Sequence, residues 1–305
     1  GGDFVISTEW TDTAIPHHVT IGDEVNNSIL NFGAITSFRL ANGNVTIGTG
    51  VNKAKLTLST KPGGDLKLKG NYTVAQKSST TNNGRAVFFT GAAGNQIVTK
   101  SGGGTIDFDY LFVDKSLGDL QLSGTTGQKT NLQINSIGAA NVYQLELING
   151  SIDLNGQMFT MNATNSTEST ENTTNIKISG TGAKRIYTST GSGDFVFAGN
   201  YSAGKSNAKF NFAPSATLTF DTDVTLQTSV GLDFGTGSTL INSILQINQN
   251  GFVIGHSPYY GNYSTLIYNN GSNGFFRNME WNSNSGAGYP NNVIVRGSNN
   301  TLVEL

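Results

Sequence analysis

The sequence predicts an all-β chain wound as a right-handed parallel β-helix, a β-solenoid. Three observations point there. Apolar-polar-apolar triplets recur along the chain, turn-forming residues separate them, and the end of the chain repeats its beginning. An alternating triplet is a short strand with one face buried and one exposed. The triplets stand about ten residues apart, with Gly, Asn, Asp and Ser at the breaks.

In chain order the strands are carried by Val45-Thr46-Ile47, Leu56-Thr57-Leu58, Leu66-Lys67-Leu68, Ile106-Asp107-Phe108, Leu120-Gln121-Leu122 and Leu132-Gln133-Ile134. Next come Leu145-Glu146-Leu147, Ile152-Asp153-Leu154, Ile176-Lys177-Ile178, Phe195-Val196-Phe197 and Phe210-Asn211-Phe212. Leu218-Thr219-Phe220, Val224-Thr225-Leu226, Leu232-Asp233-Phe234 and Leu245-Gln246-Ile247 close the series. No segment shows the spacing of an amphipathic helix. The alternative, tandem β-sandwich domains, calls for about seven strands per roughly 100 residues, joined by linkers. No Pro/Ser linker is present, and the polar stretch from Asn162 to Thr174 fits a loop between coils. The asparagines at the breaks suit ladders of stacked turns. Coils of roughly 20–25 residues, each rising about 4.8 Å, give a rod on the order of 60 Å long. Leu56, Leu58, Leu132, Ile134, Leu218 and Phe220 are expected to point inward.

The terminal repeat sets the domain organisation. Glu9-Trp10, Pro16, Val19-Thr20-Ile21 and Asn26-Asn27-Ser28-Ile29-Leu30 return as Glu280-Trp281, Pro290, Val293-Ile294-Val295 and Asn299-Asn300-Thr301-Leu302-Val303. Gly2 and Phe4 precede the first copy, Gly274 and Phe276 the second. Each copy holds one of the two tryptophans. Residues 1–30 then start one repeat period, 31–273 form a continuous solenoid body, and 274–305 start the next period. Trp10, Pro16, Trp281 and Pro290 mark the seam. A Gly-Gly start without a signal peptide is expected of an internal fragment.

Composition narrows the function classes. Hydrophobic residues make up 36% and charged residues 12%, with 39 glycines, so the core is thin and spread along the length. The 17 Phe and 10 Tyr argue against disorder. A formal net charge of −2 with no run of like charges offers no basic surface for nucleic acid. Cysteine is absent, which removes disulfides, thiol chemistry and Cys-ligated metal. No apolar run approaches the roughly 20 residues needed to span a bilayer.

The run from Leu145 to Met161, with Asn149-Gly150 and Asn155-Gly156 between its apolar pairs, resembles a phrase common in very large secreted proteins of Bacteroidota. The segment from Thr265 through Glu280-Trp281 to Val293 is similar to the same proteins. That resemblance implies β-helical cargo of the type IX secretion system, often adhesins or gelling components.

Four groups of residues are candidates for chemistry. Asp107, Asp109 and Asp114 form the densest acidic cluster. Asp107 and Asp109 are expected on one strand face, where glycosidases and lyases hold carboxylates. Alternation makes them a solvated face instead, and Lys115 is the one cation close in sequence. His17, His18 and His256 lack metal-ligand spacing and read as surface residues. Tyr259, Tyr260 and Tyr263 form the one dense aromatic loop, able to stack on sugar rings or to pack against the solenoid. Asp12-Thr13-Ala14 matches a short O-glycosylation sequon, with Thr13 as acceptor.

No catalytic, metal or cofactor site is expected. The sequence thus predicts a non-enzymatic structural or adhesive segment of a large extracellular repeat protein on a bacterial surface. Its expected partners are neighbouring repeats or identical chains end to end, with glycans or surfaces beside them. Neither nucleic acid nor membrane insertion is among them. The alternatives are a self-assembling filament subunit and a β-helical polysaccharide lyase or glycoside hydrolase.

Overall fold

The computed structural model of the chain describes residues 3–5, 15–22, 27–49, 53–135, 143–164, 174–200, 208–227, 229–270, 275–297 and 303–304. Among them every strand pairing is parallel. The chain is all-β and folds as a parallel β-helix. Sandwich domains, built from antiparallel sheets, do not occur among the described residues.

Successive strands visit three faces in turn. Face I is one ten-stranded sheet running from Val19–Ile21 to Tyr259–Tyr260. Face II carries a four-stranded sheet, Asp3–Val5 to Ser79–Thr81, then an eight-stranded one, Gly104–Phe108 to Asn292–Gly297. Face III is a nine-stranded sheet from Arg39–Ala41 to Phe252–Val253. The strands Phe275–Phe276 and Val303–Glu304 form a separate pair. Ten to twelve layers at about 4.8 Å each make a stack roughly 50 Å long.

The run from Leu145 to Met161 is one circuit of this helix. Leu145–Asn149 lies on face III, Ile152–Asp153 on face I and Met158–Thr164 on face II. Its corners need the left-handed backbone region, which Gly150 (φ 80°), Asn155 (φ 48°) and Gly156 (φ 73°) supply. The run from Leu145 to Met161 is therefore the grammar of a single coil.

Coils run from about 19 residues (Ile241 to Tyr260) to about 36 (Met158 to Asp194), which corrects the uniform 20–25 expected. The extra length gathers at one corner, between faces II and III. There the chain runs from Thr130–Ile134 to Leu145–Asn149, from Met158–Thr164 to Thr174–Ile178, and from Asp194–Asn200 to Ala208–Phe212. Residues added at a corner leave the strand register untouched, so they carry no periodic signal in the sequence.

Leu56, Leu58, Leu132, Ile134, Leu218 and Phe220 are all buried, as expected. They belong to one continuous apolar column. Part of it is aromatic: Phe210 packs against Phe197 and Phe220 at 5.9 Å and stacks on Phe234 at 6.0 Å. Burying each such ring contributes about 1.5–3 kcal/mol.

Candidate functional site

Outside the column, polar side chains bond along the axis. The residue just before each of the first six face I strands accepts a backbone N–H from the next coil. His18 Nδ1 accepts from Asn44 (2.9 Å), Asn44 Oδ1 from Asn71 (2.8 Å) and Asn71 Oδ1 from Ile97 (2.8 Å). The row continues as Asn95 accepts from Asp119 (3.0 Å), Asp119 from Ser151 (3.1 Å) and Ser151 Oγ from Arg185 (3.0 Å). His18 thus stands as the first rung of an amide ladder, accepting through an unprotonated nitrogen. His17 rests against its ring at 4.3 Å.

The acidic cluster is taken apart by the fold. Asp107 lies on the strand Gly104–Phe108, whereas Asp109 is the single residue turning the corner to Tyr110–Asp114. The two therefore do not share a strand face, which corrects the sequence expectation. Asp107 Oδ1 accepts from Asn135 (3.0 Å), Asp109 Oδ2 from the Gly84 N–H (2.6 Å), and Asp114 Oδ1 from Asn149 (2.7 Å). Together with the bond from Asn82 Nδ2 to the Asp107 carbonyl (3.0 Å), Asp109 joins the two coils where face II passes from its first sheet to its second. Lys115 turns inward, fully buried, and donates to the Gly91 carbonyl at 3.0 Å. Burial lowers its pKa, Asp119 opposing the shift. It is a structural cation under the corner.

His256 is held by Asp233, whose Oδ1 lies 2.8 Å from Nδ1, with Lys209 beside the other oxygen at 3.6 Å. Among the described residues no three His, Cys, Asp or Glu side chains group as a metal site.

Two aromatic groups differ in what they offer. On face III, Phe88 and Phe112 stack at 4.5 Å with 16° between planes, and Lys67 sits over Phe38 at 4.0 Å and Phe88 at 5.1 Å. Phe88 and Phe112 cover each other on one face, and Lys67 lies over Phe38, which is still 46% exposed. At the last coils of face I, Tyr259 is 45% exposed, Tyr263 91% and Tyr289 51%. Tyr289 joins them because its segment stacks on theirs: Gly288 N–H donates to the Pro258 carbonyl (2.8 Å), and Asn291 Nδ2 donates to the Asn262 carbonyl. The Tyr260 ring turns inward against the core, and its hydroxyl donates to the Glu280 carbonyl (2.8 Å), so it leaves the expected contact set. Tyr289 was not signalled by sequence, since it lies a full coil beyond Tyr263.

Glu280 and Trp281 sit in a 3₁₀ turn under the last face III strand. The Glu280 carboxylate is buried and accepts from Val253 N–H (3.1 Å), Asn278 N–H (2.7 Å) and the Tyr268 hydroxyl (3.0 Å). Burial nevertheless raises its pKa above the ordinary 4.5. Trp281 packs against the core under Arg277, and Pro290 is buried. Pro16 is half-buried. Trp10 and Thr13 lie outside the described residues. No known protein family, curated protein or solved structure matches the chain.

Proposed function

We propose that the chain is a non-enzymatic, structural and adhesive segment of a large extracellular repeat protein on a bacterial surface. The carrying observation is that a row of outward polar side chains bonds from coil to coil. The ladder from His18 to Arg185 and the bonds of Asp107, Asp109 and Asp114 all tie one coil to another. Side chains committed in this way stiffen a rod. The adhesive part rests on Tyr259, Tyr263 and Tyr289, whose rings combine rigid apolar area with a polar tip. Export by the type IX system of Bacteroidota belongs to the same proposal and rests on the phrase from Leu145 to Met161.

The test sets this reading against a polysaccharide-cleaving enzyme. Incubated with uronic-acid and neutral polysaccharides, the purified chain should release no new reducing ends and no unsaturated products. Turnover that disappears in Asp109→Asn would overturn the proposal.

A further inference from the structure

The two copies of the terminal motif have the same strand arrangement. In the first, Asp3–Val5 pairs in parallel with Ser28–Asn31, while Val19–Ile21, between them in the chain, stands in a different sheet. In the second, Phe275–Phe276 pairs in parallel with Val303–Glu304, while Asn292–Gly297 stands in a different sheet. Each copy is thus one coil, and Val19-Thr20-Ile21 corresponds to Val293-Ile294-Val295.

The faces do not correspond. Val19–Ile21 opens the ten-stranded sheet of face I, whereas Asn292–Gly297 is the last strand of the eight-stranded sheet of face II. Among the described residues the terminal coil bonds to the last strand region of each of the other two faces. Glu280 takes the Val253 N–H of face III, and Gly288 binds the Pro258 carbonyl of face I. Among the described residues no strand pairs with the outer edge of Asn292–Gly297 on face II. Val293 and Val295 continue the column, in register with the fully buried Leu266 and Tyr268, yet Val295 is 45% exposed. An inward-facing valine in column register wants cover, and an unpaired parallel edge accepts a strand.

We propose that the motif is one coil shared by two periods, and that a further copy of this fold stacks onto Asn292–Gly297 turned by one face. Its ten-stranded face then grows from the eight-stranded face of this one. The strand that covers Val19–Ile21 is Val45–Ile47, with Val19 opposite Val45 and Ile21 opposite Ile47. The strand that covers Val293–Val295 is accordingly the further copy's Val45–Ile47. Without the turn, face II would continue as face II, and Ala54–Thr57 of the further copy would take that place. This rests on the repeat-protein reading above but not on adhesion, so loss of glycan binding would leave it standing.

The chain has no cysteine, so introduced pairs report the geometry. Residues 33–305 are appended directly after Leu305 to make two periods. Neighbouring parallel strands bring paired Cα atoms to about 4.8 Å, within the roughly 4.4–6.8 Å of a disulfide. Ile294→Cys with Thr46→Cys of the appended copy should form the crosslink on oxidation. Ile294→Cys with Lys55→Cys of the appended copy should not. Thr20→Cys with Thr46→Cys within the first period, opposite each other in the structure, verifies that oxidation crosslinks such neighbours. A crosslink to Lys55, or none to either position, would overturn the proposal.

Discussion

The body of the stack and its C-terminal end use the same residue types in opposite ways. In the body, asparagines such as Asn44 and Asn71 accept the next coil's N–H, and the rings of Phe88 and Phe112 cover each other. At the end, Tyr263 and Tyr289 face solvent, while Glu280 is buried beneath the last face III strand. In a solenoid each coil meets only its neighbours. A side chain in the body therefore has a partner above and below, and one in the last described coil has a described partner on one side. The difference teaches that the body's surface chemistry is internal to the rod. The recognition proposed above rests on the exposed tyrosines Tyr259, Tyr263 and Tyr289.

The largest expected loss lies in the body. Phe210→Ala removes a ring packed against Phe197, Phe220 and Phe234 and leaves a cavity in the column. It should cost about 3–5 kcal/mol, read as a lower denaturation midpoint. A loss under about 1 kcal/mol would mean that the column rearranges and that the body is no more rigid than its end.

Next is Glu280→Ala, which leaves the Val253 and Asn278 N–H groups and the Tyr268 hydroxyl without their acceptor. The expected cost is about 2–3 kcal/mol, confined to the end and visible as faster hydrogen exchange at Val253. The pH dependence has a definite sign. Burial raises the Glu280 pKa, so the folded state holds this proton more tightly than the unfolded one. Its contribution is greatest below 4.5 and declines as pH rises from there through the folded value. Glu280→Gln should flatten that slope, and an unchanged slope would assign it to other groups.

The fold was legible because a period of two residues survives any loop length, as Leu145-Glu146-Leu147 and Ile176-Lys177-Ile178 show despite the long coil between them. Coil length was not legible, because residues added between strands at a corner answer to no register. The ladder left a signal: His18, Asn44, Asn71, Asn95, Asp119 and Ser151 each stand immediately before a face I strand. Asp109 was misplaced because one residue turns a corner there, so alternation across it breaks. Tyr260 was misplaced for the opposite reason. It alternates with Tyr259, and neighbours on a strand point to opposite sides.

That ladder gives a smaller prediction. Asn71→Leu leaves the Ile97 N–H without its acceptor and should cost about 1 kcal/mol. His18→Asn should be nearly neutral in a thermal melt, since asparagine already fills the equivalent rung one coil on. A melt in which His18→Asn loses more than Asn71→Leu would show that the imidazole has a task beyond the ladder.

The smallest effect on stability is expected where binding should change most. Tyr259, Tyr263 and Tyr289 are exposed, so each alanine substitution should stay within about 0.5 kcal/mol of the parent. Retention on immobilised neutral glycans should nonetheless fall with each substitution and vanish in the triple variant, because a sugar ring needs a free aromatic face. Phe88→Ala supplies the contrast. It removes a stacked ring, and aromatic pairs are worth about 0.5–1.5 kcal/mol beyond their area, so stability should drop while retention holds. Retention lost in Phe88→Ala and kept in the tyrosine variants would move recognition from the end of the rod to its body.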